Sequence, residues 1–97
     1  MTLRARIEED ELLMAIGAWD AMTASMAEQA GAEAVYMSGS CVASSVTGGP
    51  DVGMTTMTEM ATRAHQIAGA IDVPLIADAD TGYGNELNVQ RTVEEYE

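Results

Sequence analysis

The chain contains no lysine and no phenylalanine, and only one cysteine, one histidine and two prolines among its 97 residues. Each scarcity excludes something. A single thiol, Cys41, cannot close an internal disulfide, so a disulfide framework is ruled out. The basic groups are four arginines against sixteen acids, a formal net charge of -12. Nothing here offers the cationic footprint that nucleic acid requires, and an anionic membrane surface would repel such a chain. No apolar run approaches the ~20 residues of a membrane span. The opening Met1-Thr2-Leu3-Arg4-Ala5-Arg6 turns acidic by Glu8 and lacks the apolar core of a signal peptide. A soluble, cytoplasmic protein is the expectation. The acidic surplus without lysine also suggests a halophilic setting, where screening tames self-repulsion; ordinary acidic solubility is the alternative.

What is present suffices for a core. Apolar residues make up 47% of the chain, enough for one small domain over residues 1–97. Residues Thr2 to Glu11 read as a charged helical lead-in. Leu12 to Ile16 is an apolar run of strand length closed by Gly17. Asp20 suits an N-cap for a helix over Ala21 to Ala30, with Gly31 just past its end. Met22 and Met26, four apart on one face, are expected in the core. Ala34 to Met37 is a second strand, followed by a long irregular connection from Ser38 to Asp51. Thr56 and Glu59 form a capping-box pair, and Met57, Met60, Ala64, Ile67 and Ile71 recur at helical spacing to about Ala70. Pro74 begins a third apolar run, Leu75-Ile76-Ala77. Asn85 or Glu86 opens a last helix with Val89, Val93 and Tyr96 on one side.

Strands alternating with helices imply an α/β fold with a parallel sheet and right-handed crossovers. A (β/α)8 barrel needs about 250 residues, and this chain stops in mid-helix at Glu97. The pattern therefore fits the first three βα units of a TIM-type barrel behind a short N-terminal helix, a single partial domain.

In α/β folds, chemistry gathers at the carboxyl ends of the strands. There the third strand delivers Asp78 and Asp80, one residue apart, into Thr81-Gly82-Tyr83-Gly84. Side-chain alternation would put both carboxylates on one side. A hard divalent cation such as Mg²⁺ would relieve their repulsion; a solvated turn is the bland alternative. Ser38-Gly39-Ser40 ends the second strand, and its hydroxyls and N–H groups could hold a carboxylate or phosphate oxygen, or make only a turn. Asp51 follows Pro50 in a loop that could fold over the site, though by itself it reads as a turn residue. His65 reads as a surface or packing residue, and Cys41 as a buried structural thiol. Gly82-Tyr83-Gly84 is no dinucleotide fingerprint, because Leu87 stands where the third glycine belongs.

Three blocks then carry a resemblance: Tyr36-Met37-Ser38-Gly39-Ser40, Gly49-Pro50-Asp51-Val52-Gly53, and Ala77-Asp78-Ala79-Asp80-Thr81-Gly82-Tyr83-Gly84-Asn85. In order and spacing they are similar to the isocitrate lyase / phosphoenolpyruvate mutase superfamily, and most to its methylisocitrate lyases. Trp19-Asp20-Ala21, Glu28-Gln29-Ala30-Gly31 and Asn88 to Val93 add to it. The resemblance implies a TIM-type barrel and a Mg²⁺ site, with Mn²⁺ as an alternative. It implies cleavage of 2-methylisocitrate to pyruvate and succinate, or of isocitrate to glyoxylate and succinate. Oxaloacetate decarboxylase/hydrolase and phosphoenolpyruvate or carboxyphosphonate mutase activities are alternatives within the superfamily; a non-catalytic module is the alternative outside it. The partners implied are a small di- or tricarboxylate or oxo-acid substrate and, at full length, a homo-oligomer such as a tetramer. By position, Asp78 and Asp80 correspond to metal-site aspartates, and Ser38, Gly39 and Ser40 to the segment that holds the substrate carboxylate. Tyr36 and Asp51 correspond to the tyrosine facing the substrate and the aspartate beside the metal. The family's mobile loop, with its lysine and cysteine acid, corresponds to nothing in residues 1–97, and Cys41 is not that cysteine. The expectation is that these residues alone do not turn substrate over.

Overall fold

The computed structural model describes residues 2–97. Strands β1 (Ala15–Ala18), β2 (Ala34–Met37) and β3 (Leu75–Ala77) form one parallel sheet in the order β1-β2-β3. The helices are α1 (Leu3–Glu8), α2 (Ala21–Gln29), α3 (Gly39–Thr47), α4 (Met57–Ala70) and α5 (Glu86–Tyr96).

Register sorts the sheet into two faces. Ala18 pairs with Met37 and Met37 with Ala77, while Gly17 pairs with Tyr36 and Tyr36 with Ile76. Paired residues of parallel strands share a face, and successive residues alternate. The Ala18–Met37–Ala77 face meets the helices. Val35 and Met37 are fully buried there with Ala24 and Ala27 of α2, Val42 of α3, and Met60 and Ile67 of α4. Gly17, Tyr36 and Ile76 lie on the other face, where Tyr36 is 38% exposed.

Local chemistry sets most helix boundaries. Asp20 caps α2: its Oδ1 accepts from the Thr23 N–H at 2.8 Å and the Thr23 hydroxyl at 2.7 Å. These bonds, the backbone one foremost, hold the Asp20 carboxyl below its ordinary range. Thr56 and Glu59 make the expected capping box on α4, whose buried stripe is Met60, Ile67 and, just past its end, Ile71. Two charged groups tie elements together. The Glu28 carboxylate accepts from Asp72 N–H (2.6 Å) and Val73 N–H (3.0 Å), fixing α2 to the turn before β3. The Arg63 guanidinium donates to the Trp19 carbonyl (2.6 Å) and the Ser45 hydroxyl (3.2 Å), joining α4 to the end of β1 and to α3.

The structure corrects several expectations. The first strand does not end at Gly17 but runs through it to Ala18, leaving Leu12 and Met14 exposed before it. The lead-in helix is six residues, not ten. Met22 and Met26 are 67% and 60% exposed. They do share a face of α2, but the small Ala24 and Ala27 opposite let the helix approach the sheet closely. The stretch after β2 is no irregular connection throughout: nine of its residues form α3, capped by Ser38 and closed by Gly48 in the left-handed region at φ 70°. Helix α3 buries Val42 and Ala43 and leaves Cys41 exposed, so the thiol is not a buried structural one. On α5 the buried side chain is Thr92, and Val93 is exposed. His65 is exposed, as expected. Among the described residues no helix is long and apolar enough to cross a membrane.

Candidate metal centre

The acidic turn begins where β3 ends. Asp78 N–H still donates to the Met37 carbonyl (3.3 Å), so the chain leaves the sheet with Asp78 anchored to β2. It then turns sharply. Asp80 N–H folds back onto the Asp78 carboxylate at 2.7 Å, and Asp80, Gly82, Tyr83 and Gly84 all adopt positive φ, at 50°, 92°, 64° and 148°. Asp80 is thus brought back onto Asp78 by a tight turn rather than set beside it by strand alternation, since the strand has already stopped at Ala77. Gly82 is required twice over: its φ suits only glycine, and a Cβ there would overlap the Val89 side chain of α5.

Asp78, Asp80 and Asp51 line one small concavity with Gly39, Thr55, Met60 and Tyr83. Loops from the ends of β2 and β3 therefore converge on this concavity. Gly39 lies against Asp78 so closely that a Cβ would overlap the carboxylate, with its Cγ 2.9 Å away. Tyr36, Ser38 and Ser40 do not line this concavity. Tyr36 stands on the sheet face away from the helices. The Ser38 hydroxyl accepts from the Cys41 N–H (3.2 Å) as the α3 N-cap. Ser40 is exposed in the first turn of α3, a helix end whose first N–H groups have no intrahelical acceptor and favour an anion.

The donor set suits a hard cation. Three aspartates and a threonine are among the residues lining one space, and no basic side chain lines it among the described residues. Among the described residues the ion pairs (Arg6 with Glu9 and Glu33, Arg91 with Glu95) include none of these aspartates. Among the described residues no group of three or more His, Cys, Asp or Glu side chains is arranged to hold a metal ion. Mg²⁺ typically takes one or two carboxylates and keeps several waters, a smaller demand on the side chains.

The sequence assigned no site role to Tyr83, which lines the concavity, or to Thr92 and Tyr96 of α5 behind it. Tyr96 OH donates to the Asp78 carbonyl at 3.0 Å and lies 3.4 Å from Tyr83 OH. A hydroxyl has one hydrogen, so Tyr83 is the donor of that second bond. The Thr92 hydroxyl has two acceptors for its one hydrogen, the Gly82 carbonyl at 2.7 Å and the Asn88 carbonyl of its own helix at 2.9 Å. Burial raises both phenols above the ordinary tyrosine value of 10.0, with the bond to Tyr96 adding to it for Tyr83 and the Asp78 charge for both. The available signal was the spacing of Val89, Thr92 and Tyr96 along one face of α5.

With this geometry in place, similarity to known proteins becomes informative. The model of the phosphoenolpyruvate phosphomutase family matches residues 3–97. The chain is 52% identical over 95 residues to the 2,3-dimethylmalate lyase of Eubacterium barkeri, covering 98% of this chain and 33% of that protein. It is 43% identical to a probable 2-methylisocitrate lyase of Corynebacterium glutamicum, over 98% of this chain and 31% of that protein. A crystal structure of phosphonopyruvate hydrolase in complex with oxalate and Mg²⁺ superposes with a TM-score of 0.91 at 36% identity, covering 99% of this chain and 35% of that one. The chain spans about a third of the length of the curated relatives it matches. From the match over residues 3–97, the chain belongs to the phosphoenolpyruvate phosphomutase family, within the isocitrate lyase / phosphoenolpyruvate mutase superfamily.

Proposed function

We propose that this chain is the metal-holding part of a Mg²⁺-dependent carbon–carbon lyase that cleaves 2-methylisocitrate to pyruvate and succinate. Its three βα units would be the first of a TIM-type barrel. The observation that carries the reading is the convergence of Asp51, Asp78 and Asp80 with Gly39 on one concavity lined by no basic side chain among the described residues. Two lyases of small hydroxy-carboxylates among its relatives and a relative solved with Mg²⁺ support it.

Cleavage would pass the substrate hydroxyl proton to a general base and break the adjacent carbon–carbon bond as the pyruvate carbonyl forms. The bonding pair would be left on the carbon beside the departing carboxylate, where a general acid of the full-length lyase would protonate it to give succinate. A bound Mg²⁺ would stabilise the negative oxygen that develops. Asp78 and Asp80 would hold the ion, one of them through water, and Asp51 would stand beside it. Gly39, Ser40 and the Ser38-capped start of α3 would face the substrate carboxylate with backbone N–H groups. Tyr36 would face the substrate from the open side of the sheet.

The test is a chimera in which this chain replaces the matching third of the Corynebacterium glutamicum relative. Pyruvate release from 2-methylisocitrate is expected with Mg²⁺, and none after EDTA or with Asp78→Ala. A folded chimera that is inert, or that keeps its rate in EDTA, would overturn the reading. The chain by itself is expected to release no pyruvate.

A further inference from the structure

The acidic turn is held from behind as well as from the sheet. Asp80 and Tyr83 sit in the left-handed region, which costs a residue with a side chain roughly 1–2 kcal/mol and persists only where surrounding contacts over-determine it. Those contacts come from α5. Thr92, 2% exposed, takes the Gly82 carbonyl; Tyr96 takes the Asp78 carbonyl and accepts from Tyr83. Asp78 is thereby pinned on both sides of its Cα, through its N–H to β2 and through its carbonyl to α5.

We infer that Tyr96 is a positioning residue for the metal site, its hydroxyl fixing the Asp78 backbone so that the carboxylate stays aimed at the concavity it shares with Asp51 and Asp80. The inference rests on the metal reading above. Tyr96 touches neither metal nor substrate; it acts through Asp78. Losing this bond would free the carbonyl and let the carboxylate wander between the concavity and Asp80 N–H, to which it already bonds. Affinity would fall while the fold remained, since Tyr96 keeps its ring among the core residues.

The experiment is Mn²⁺ titration of the purified chain, followed by water-proton relaxation, in the unaltered protein, Tyr96→Phe and Asp20→Ala. The Tyr96→Phe affinity should drop about tenfold, as for other residues that orient a metal ligand. Its amide exchange should quicken at Asp80 to Tyr83, with circular dichroism unchanged. Asp20→Ala, which loses stability at the other edge strand of the sheet, should bind as the unaltered chain does. Equal affinity in Tyr96→Phe, or an equal loss in Asp20→Ala, would overturn the positioning role while leaving the metal site standing. No Mn²⁺ binding by the unaltered chain would overturn the metal reading and this inference with it.

Discussion

The connections after β2 and after β3 leave the same edge of the sheet but are built in opposite ways. The first enters a regular helix at once: Ser38 caps α3, Gly48 closes it, and its polar groups are mostly spent on the helix. The second spends its backbone on a turn with four positive φ values and has no regular structure until Asn85 caps α5. The helical connection offers N–H groups and shape; the strained one offers carboxylates. Gly39 is where they touch, and it is glycine because Asp78 fills the space a Cβ would need.

Substitutions can break that division of labour. The largest effect on stability is expected from Gly82→Ala, which adds left-handed strain and overlap with Val89, about 3 kcal/mol together; chemical denaturation would measure it. Gly39→Ala should do the reverse. Alanine suits the first turn of a helix, so stability should hold, while the displaced Asp78 carboxylate should weaken Mn²⁺ binding. A Gly39→Ala chain that binds Mn²⁺ normally would show that the two connections are independent.

Smaller effects sharpen the contrast. Asp20→Ala removes a cap from α2 and should cost about 1 kcal/mol. Because the folded Asp20 carboxyl lies below its ordinary 3.8, its contribution is present above that value and lost as pH falls below it. The two phenols run the other way. Folding raises them above 10.0, so their contribution is intact below pH 10 and drains away as the pH climbs past it. Alkaline unfolding should therefore begin near α5 and the acidic turn, which hydrogen exchange can locate, and should ease in Tyr83→Phe. Met22→Gln, on the exposed face of α2, should change stability by less than about 0.5 kcal/mol.

What was legible in the sequence was what neighbouring residues encode. Thr56 with Glu59 and the stripe from Met60 to Ile71 announce α4. Pro74 ahead of Leu75 to Ala77 announces β3 and puts Asp78 at its end. Helix α3 escaped because Ser38 to Thr47 is mostly small residues, with only Val42 and Val46 as larger apolar ones, although a serine cap and Gly48-Gly49-Pro50 bracketed it. Met22 and Met26 at a four-residue step establish a shared face but not which face turns inward; that depends on how closely α2 must approach the sheet. The bonds from Tyr96 to Asp78, Arg63 to Trp19 and Glu28 to Asp72 join residues 18 to 44 positions apart, and no local pattern encodes them.

The central claim is that the turn after β3 holds a divalent cation. Mn²⁺ titrated into the purified chain and into Asp78→Ala, read by calorimetry, tests it most directly. One saturable site in the unaltered chain, abolished by the substitution at unchanged circular dichroism, is the predicted result. Binding of equal strength in Asp78→Ala, or no saturable site in either protein, would contradict it.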